Sequence, residues 1–247
     1  EVTPEKLETV FMGLRCMNVG GFNVTMPHKV AIIKYLDELD PLAATIGAVN
    51  TISLRKGKTT GYNTDGYGFV ESLQESTGLS PKGKRIFMLG AGGAARAICM
   101  TLAEKGVEKI FLCNRSPKKA MVLAEEINKS ISPCSEVVEM DSPGQAKAVT
   151  ASHILINSTS VGMSPHEDYS PIPANILHPE LVVADIVYNP LTTKLLSEAQ
   201  TAGCTIVPGP GMFIHQGAAA FKLWTGQRAP VTEMAEVVYH CLETRNK

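Results

Sequence analysis

The spacing of hydrophobic residues changes near Lys84. From that point, short runs of aliphatic and β-branched residues alternate with stretches of helical spacing. This alternation is typical of parallel strands joined by right-handed crossovers, so this part of the chain predicts a doubly wound sheet. The predicted strands are Arg85–Leu89, Lys109–Cys113, Val137–Met140, Ile154–Asn157, Val182–Ile186 and Thr205–Val207.

The first 65 residues and the end of the chain follow other patterns. In the opening residues, Leu7, Val10, Phe11 and Leu14 share one face of a predicted helix. Apolar alternation around Lys56–Gly57 predicts a hairpin. The other predicted elements are a strand at Val19–Val24, a helix at Lys29–Leu39, the hairpin strands Val49–Leu54 and Thr59–Tyr62, and helices at Phe213–Thr225 and Val231–Thr244.

Composition excludes several classes of function. The 247 residues carry 23 Lys+Arg and 24 Asp+Glu, so a broad basic surface for nucleic acid is not expected. No apolar run approaches the roughly 18 residues that a membrane span needs, and the charged first 15 residues do not resemble a signal peptide. The six cysteines are scattered without a CxxC pair. We therefore expect a cytoplasmic protein without a metal site, disulfides or a membrane partner.

A glycine-rich turn follows the first strand of the alternating region. The segment Gly90–Ala95 reads G-A-G-G-A-A and opens a predicted helix. Gly90 permits a tight turn, Gly92 lets the backbone approach a pyrophosphate, and Ala95 allows close packing of helix and strand. In this context the motif predicts a Rossmann-like dinucleotide site. The alternative is a glycine turn required by packing alone.

The end of the next strand indicates which dinucleotide is bound. An NAD site usually has a carboxylate there for the ribose 2′-hydroxyl, whereas this chain has Asn114–Arg115–Ser116 followed by Lys118 and Lys119. Arginine, serine and lysine side chains suit a 2′-phosphate. The pattern favours NADP over NAD, and the alternative is an exposed basic helix start.

Polar residues cluster at three places in the first half: Asn23–Lys29, Gly47–Thr51 and Asn63–Gly66. A lysine and an aspartate brought together in a cleft form an acid/base pair, provided that the surroundings tune the lysine. Lys29 and Asp65 are the candidates. From spacing alone, Asp65 is equally a helix cap and Lys29 a solvated residue of a first helical turn.

Together these motifs resemble the shikimate dehydrogenase family, which includes the quinate/shikimate dehydrogenases. The resemblance extends over nearly the whole chain, in order and in spacing. The motifs are N-V-T-x-P-x-K (Asn23–Lys29), G-A-V-N-T (Gly47–Thr51), N-T-D-G (Asn63–Gly66), G-A-G-G-A-A (Gly90–Ala95), N-R-S (Asn114–Ser116), N-S-T-S-V-G-M (Asn157–Met163), D-I-V-Y-N-P-x-x-T (Asp185–Thr193) and G-x-G-M-x-x-x-Q (Gly209–Gln216).

The resemblance implies NADPH-dependent, reversible reduction of 3-dehydroshikimate to shikimate, a step of chorismate and aromatic amino-acid biosynthesis. Lys29 and Asp65 would form the catalytic pair. The implied substrate residues are Asn23, Thr25, Lys29, Asn50, Asp65, Tyr188 and Gln216, although Tyr188 and Gln216 are alternatively structural. The implied cofactor residues are Gly90, Ala91, Gly92, Gly93, Ala94, Asn114, Arg115, Ser116, Lys119, Thr159, Ser160, Val161, Met163, Ile186, Gly209 and Met212.

The resemblance also implies an organisation into domains. We expect an α/β protein with a Rossmann-like doubly wound domain at residues 66–208. A smaller α/β substrate domain would comprise residues 1–65 and be completed by the C-terminal helices of residues 209–247. The oligomeric state expected is a monomer or a homodimer.

The chain departs from the family pattern at two places. The segment G-x-P-x-x-H-S-x-S-P, whose serines grip the substrate carboxylate, is absent, so we expect the chain to begin roughly 40 residues late, the size of a strand–helix–strand opening. Lys119 replaces an arginine typical of NADP-specific members and loses its bidentate grip. Pro117 stands where members that accept NAD tend to carry aspartate, which again favours NADP.

Two alternatives stay open. One is a quinate/shikimate dehydrogenase that uses both NADP and, more weakly, NAD. The other is a non-catalytic relative that senses quinate or shikimate. The presence of both Lys29 and Asp65 argues against a sensor, because a sensor needs no pair for proton transfer.

Overall fold

The computed structural model describes residues 1–17 and 19–245. Within them, a small sheet is formed early in the chain, in the order β1-β3-β4-β2. The hairpin strands β3 and β4 are antiparallel, β1 adds antiparallel to β3, and β2 adds parallel to β4. The strands are β1 (Gly21–Asn23), β2 (Glu38–Leu39), β3 (Thr51–Arg55) and β4 (Lys58–Tyr62).

A larger sheet occupies the rest of the described chain. It has the order β10-β9-β8-β5-β6-β7, and every neighbouring pair is parallel. The predicted doubly wound sheet is therefore confirmed. The chain order reverses between β5 and β8, and such a switch point is where this kind of sheet binds ligands at its carboxyl edge. The strands are β5 (Arg85–Leu89), β6 (Lys109–Cys113), β7 (Ser135–Val138), β8 (Ile154–Asn157), β9 (Val182–Asp185) and β10 (Thr205–Val207).

Helices cover both faces of the large sheet, with separate apolar clusters on the two faces. A third cluster joins the small sheet to the first helix. The α-helices are α1 (Leu7–Cys16), α2 (His28–Ala31), α3 (Pro41–Ile46), α4 (Asp65–Thr77), α5 (Gly93–Glu104), α6 (Pro117–Ser130), α7 (Pro143–Ala151), α8 (Lys194–Thr201), α9 (Gly209–Thr225) and α10 (Val231–Arg245). Three 3₁₀ turns occur at Pro4–Lys6, Ile32–Tyr35 and Ala174–Ile176.

Helix α4 is packed between α5 and α9. Glycines on α4 itself help to permit this close packing. A Cβ at Gly66 would lie 2.0 Å from Oγ1 of Thr101 on α5, and one at Gly68 would lie 2.6 Å from the backbone nitrogen of Gln216 on α9. Because α4 begins at Asp65, these contacts determine where that carboxylate lies relative to the large sheet.

The predicted helix at Lys29–Leu39 is wrong in its second half. Helix α2 passes into a 3₁₀ turn at Ile32–Tyr35, and Leu36 is extended. The Asp37 carboxylate then accepts hydrogen bonds from the backbone and hydroxyl of Thr59 on β4. These bonds hold the chain extended, so that Glu38–Leu39 joins the sheet as β2.

Helix α3 was not predicted, although its signals are present in the sequence. The Asp40 carboxylate accepts from the backbone N–H groups of Leu42 and Ala43, Pro41 occupies the first position, and Gly47 ends the helix at φ +69°. Several predicted boundaries also shift. Strand β7 begins and ends two residues earlier than predicted, and α9 begins at Gly209 instead of Phe213.

In the described part of the chain, every helix is too short or too polar to cross a membrane. No group of three or more His, Cys, Asp or Glu side chains within residues 1–17 and 19–245 is arranged to hold a metal ion.

Candidate active site

Lys29 and Asp65 come together although 36 positions separate them in the sequence. Nζ of Lys29 donates to Oδ2 of Asp65 at 2.7 Å. The lysine side chain is 28 % exposed and the aspartate side chain 13 % exposed. The ammonium is therefore held in a defined place while a ligand can still reach it.

The segment between α3 and β3 holds both members of this pair. The backbone N–H of Val49 donates to the carbonyl of Lys29 at 2.8 Å. Nδ2 of Asn63 donates to the carbonyl of Ala48 at 3.0 Å, and Oδ1 of Asn63 accepts from the backbone N–H of Asp65 at 3.1 Å. Residues 47–50, called the 47–50 loop below, thus position the amine and the carboxylate together.

Asn50 links this loop to the carboxylate and to α9. Its Nδ2 lies 2.8 Å from Oδ1 of Asp65, 3.0 Å from Oγ1 of Thr64 and 3.2 Å from Oε1 of Gln216. An amide nitrogen carries two hydrogens, so it satisfies two of these three acceptors at a time. One of the three oxygens is therefore left without a hydrogen from Asn50 at any one time.

Helix α9 connects this pair to the edge of the large sheet. A Cβ at Gly209 would lie 2.2 Å from the carbonyl oxygen of Val187, directly after β9. Gln216 lies seven residues further along the helix, about 10 Å at 1.5 Å per residue. Helix α9 thus runs from the carboxyl edge of the sheet to Gln216, which contacts Asn50 beside the Lys29–Asp65 pair.

The glycine turn has the geometry that a bound pyrophosphate requires. Gly90 adopts φ +106°, where a Cβ would lie 2.5 Å from Oγ of Ser158. A Cβ at Gly92 or Gly93 would meet open space, so the backbone there is accessible. Within the described residues no side chain caps α5, whose first amides lie at this turn. The free amides and the helix dipole favour an anion.

Basic side chains border a groove beside this turn. The groove has a volume of about 430 Å³ between α5 and α6, and its lining includes Gly92, Gly93, Lys118 and Lys119. Arg115 is exposed at the end of β6. The turn, the groove and the cations together fit a dinucleotide with an additional phosphate.

A buried carboxylate organises the loops at the edge of β8 and β9. Oδ1 of Asp185 accepts from Nδ2 of Asn157 and from the backbone N–H of Val187, both at 3.0 Å, and Oδ2 accepts from Oγ1 of Thr193 at 2.7 Å. Burial raises the pKa of Asp185, while the three hydrogen bonds oppose that rise. Asn157, Asp185 and Thr193 belong to the predicted motifs, but the sequence does not reveal that they are buried and bonded to one another.

The loop after β8 carries several of the predicted cofactor residues. Oδ1 of Asn157 accepts from Oγ1 of Thr159 at 2.7 Å, and the backbone N–H of Val161 donates to Oγ1 of Thr159 at 3.1 Å. Ser160 and Met163 are exposed. Ile186 and Met212 pack partly buried against the core of the sheet.

The other predicted substrate residues lie around the same region in different ways. Nδ2 of Asn23 donates to the carbonyl of Asn50 and to Oγ1 of Thr51, so it braces β3. Thr25 is exposed in the segment before α2. The ring of Tyr188 is half exposed and lies 6.0 Å from the ring of Phe213 on α9. On the nucleotide side, Nδ2 of Asn114 donates to the carbonyl of Ser116 at 2.9 Å.

A parallel doubly wound sheet, an open glycine turn and a lysine–aspartate pair linked to that sheet through α9 define a dinucleotide-dependent oxidoreductase. Three family models match the chain. "Shikimate dehydrogenase substrate binding domain" matches residues 1–52, "Shikimate / quinate 5-dehydrogenase" matches residues 72–166, and "Shikimate 5'-dehydrogenase C-terminal domain" matches residues 209–239.

Individual relatives agree. The chain is 44% identical over 239 residues to "Shikimate dehydrogenase (NADP(+))" of Methanopyrus kandleri, covering 96% of this chain and 82% of the relative. The structure of shikimate 5-dehydrogenase from Listeria monocytogenes, in complex with shikimate and NAD, superposes with a TM-score of 0.92 at 41% identity, covering 96% of this chain and 84% of that one. The chain belongs to the shikimate dehydrogenase family, as its motifs predicted.

Another relative carries a different name. The ligand-free 5-ketofructose reductase of a Gluconobacter species superposes with a TM-score of 0.90 at 38% identity, covering 98% of this chain and 86% of that chain. The fold and much of the sequence are therefore shared by enzymes named for different carbonyl substrates.

Proposed function

We propose that this protein is an NADP-dependent shikimate dehydrogenase that reduces 3-dehydroshikimate to shikimate reversibly, within chorismate and aromatic amino-acid biosynthesis. The observation that carries the proposal is the 2.7 Å contact between Lys29 and Asp65, which Asn50 links to Gln216 on α9. Relatives that cover nearly all of the chain bear the same activity in their names.

Lys29 and Asp65 manage the proton of this reaction. NADPH, when bound, would supply the hydride that reduces the carbonyl carbon. The Lys29 ammonium hydrogen-bonds the carbonyl oxygen and donates the proton that makes it a hydroxyl, and in the reverse direction the amine accepts that proton. The Asp65 carboxylate orients the ammonium and accepts a hydrogen bond from a neighbouring substrate hydroxyl.

The polar residues around the pair suit a ring that carries hydroxyls and a carboxylate. Asn50 and Gln216 provide amide groups beside Asp65, while Asn23, Thr25 and Tyr188 complete the proposed lining. We assign this substrate-binding role to a domain of residues 1–65 completed by residues 209–247, of which 246 and 247 lie outside the described residues.

The cofactor assignment is NADP, with NAD as a weaker alternative, held by residues 66–208. Gly90–Ala94 would hold the pyrophosphate, and Asn114, Arg115, Ser116 and Lys119 the 2′-phosphate. The nicotinamide would lie against the loops that Asp185 organises. The proposed nicotinamide residues are Thr159, Ser160, Val161, Met163, Ile186, Gly209 and Met212.

A quinate/shikimate dehydrogenase with dual cofactor use is the second candidate. The observation in its favour is Lys119, whose single ammonium holds a phosphate less specifically than a guanidinium does. The proposed partners are small molecules. The protein itself is proposed to be a monomer or a homodimer located in the cytoplasm.

Steady-state kinetics with shikimate and quinate, each with NADP and NAD, tests the proposal. We expect the highest kcat/KM for shikimate with NADP. Comparable values for quinate or for NAD would favour the second candidate. Tight binding of shikimate without turnover in any pairing would reject an enzyme and favour a sensor. In the reduction direction with NADPH, 5-ketofructose should be compared with 3-dehydroshikimate, and a preference for 5-ketofructose would overturn the substrate assignment.

A further inference from the structure

Arg96 on α5 reaches out of the large-sheet unit to the small-sheet side of the molecule. Its Nη2 donates to the carbonyl of Thr45 at 3.2 Å, and its Nε donates to the carbonyl of Ile46. Its Nη1 contacts Oε2 of Glu126 on α6. The guanidinium is thus shared between two helices of the large sheet and the end of α3.

The contact with α3 is chemically specific. Thr45 and Ile46 are the last two residues of that helix, where carbonyl groups have no partner inside the helix and carry partial negative charge. A planar guanidinium can donate to two neighbouring carbonyls at once and still bind a carboxylate. The interaction holds the point at which α3 passes into the 47–50 loop.

That loop positions both groups of the proposed catalytic pair. Val49 bonds the backbone of Lys29, Ala48 bonds Asn63 beside Asp65, and Asn50 bonds the Asp65 carboxylate. Arg96 touches none of the reacting groups. Its effect on them passes through one short and well-bonded segment.

The other end of this connection is the nucleotide groove. Arg96 follows Gly93 by one helical turn and lines the groove together with Lys118, Lys119 and Glu126. Its charge also compensates that of Glu126, which would otherwise lie uncompensated near the proposed phosphate site. One side chain therefore contacts both the cofactor groove and the support of the catalytic pair.

We propose that Arg96 is a positioning residue that sets the Lys29–Asp65 pair relative to the nucleotide site by holding the end of α3. The inference rests on the proposed function for its kinetic consequences. Its structural consequence, a restrained 47–50 loop, does not depend on the identity of the substrate.

Arg96→Met removes the guanidinium while keeping an extended side chain. We expect kcat with shikimate and NADP to fall about 10-fold or more, because small displacements of reacting groups slow the chemical step strongly. KM for both substrates should change less than about 3-fold. A lower kcat with a nearly unchanged KM indicates that stabilisation of the transition state has been lost. In the reverse direction, the primary isotope effect on kcat for reduction of 3-dehydroshikimate with deuterated NADPH should increase, and Arg96→Lys should restore part of the rate.

Arg85→Met is the matched control. Nε of Arg85 donates to the carbonyl of Ala151 at the end of α7, and its Nη1 contacts Glu108, so it makes the same kinds of contact inside the large-sheet unit alone. Its kcat should stay near that of the unmodified protein. An equal loss in Arg85→Met would overturn the proposal, because it would show a general effect of removing a helix-capping arginine.

The double variant Arg96→Met/Glu126→Gln removes both charges. We expect it to remain slow, whereas recovery of kcat would overturn the proposal by assigning the defect to the uncompensated carboxylate. Hydrogen exchange without any ligand gives an independent measure. Amides of the 47–50 loop should exchange at least about 10-fold faster in Arg96→Met than in Arg85→Met, in keeping with exchange through local opening. Unchanged exchange would overturn the inference, while an inactive unmodified protein would reject only the proposed function.

Discussion

Two aspartates in the neighbourhood of α9 show how surroundings decide what a carboxylate does. Asp65 is partly exposed and contacts an ammonium at 2.7 Å. Asp185 is 1% exposed, and its hydrogen bonds come from an amide, a backbone N–H and a hydroxyl, all of them neutral. A carboxylate with a charged partner and access to ligand suits proton chemistry, whereas one enclosed by neutral donors holds loops in place.

The comparison predicts that disrupting the Asp65 site affects activity and that disrupting the Asp185 site affects stability. Lys29→Ala should lower kcat about 10²- to 10⁴-fold, as expected for the loss of a general acid/base. The fold should change little, because the lysine is partly exposed. Stopped-flow or steady-state assays at saturating substrates measure this effect.

Lys34→Ala is the control for the Lys29 variant. Lys34 is exposed and lies over the ring of Tyr35, five residues from Lys29 in the next turn of the chain. It should retain normal turnover. Near-normal turnover in Lys29→Ala would remove the lysine from the mechanism and leave the pair a structural contact.

Asp185→Ala should destabilise the protein by about 3 kcal/mol, because it leaves three buried donors without an acceptor. Asp65→Ala should cost less stability, since Asn50 retains Thr64 and Gln216 as acceptors. Urea unfolding followed by circular dichroism measures both variants, with the exposed Asp168→Ala as control. Equal losses for Asp65 and Asp185 would contradict the division between the two sites.

The sequence predicts the large sheet well for a physical reason. Buried parallel strands alternate with amphipathic helices, and this pattern is local. The glycine turn is local too, since strand, turn and helix are consecutive. In the first half, by contrast, the strand Glu38–Leu39 depends on bonds between Asp37 and Thr59 that helical spacing does not reveal.

The candidate site depends almost entirely on distant contacts. Nothing in the spacing of Lys29 and Asp65 predicts their approach, and the pairing was implied by the family resemblance alone. Arg96 contacts residues 50 and 51 positions away and was not singled out in the sequence. Asp185 was visible as part of a motif, but its role follows from its burial, which only the packing of β8 and β9 creates.

Arg115 extends the comparison to an exposed charge. Arg115→Ala should raise KM for NADP about 10-fold and leave KM for NAD nearly unchanged, because one charge-assisted contact with the 2′-phosphate is lost. Stability should not change measurably, since an exposed side chain contributes little. Parallel titrations of both cofactors measure the effect. Equal changes for NADP and NAD would assign Arg115 to the adenine or to structure.

The smallest expected effect concerns the pH dependence that burial gives Asp185. Because its pKa is raised above the ordinary 3.8, the native state binds more protons than the unfolded state between the two values. Stability contributed by this group therefore falls as pH rises through that window. Asp185→Asn removes the titration. The amide nitrogen can still donate to the hydroxyl oxygen of Thr193, and the amide oxygen can still accept from Asn157 and Val187.

The expected result is a difference between the two proteins in the slope of the free energy of unfolding against pH. As pH rises above the ordinary pKa of an aspartate, the free energy of unfolding of Asp185→Asn should rise relative to that of the unmodified protein, and the difference should level off once Asp185 is ionised in the native state. Other titrating groups cancel in this difference, so urea unfolding of both proteins across the range isolates Asp185. A constant difference would mean that Asp185 keeps an ordinary pKa, and the contrast with Asp65 would then rest on accessibility and not on charge.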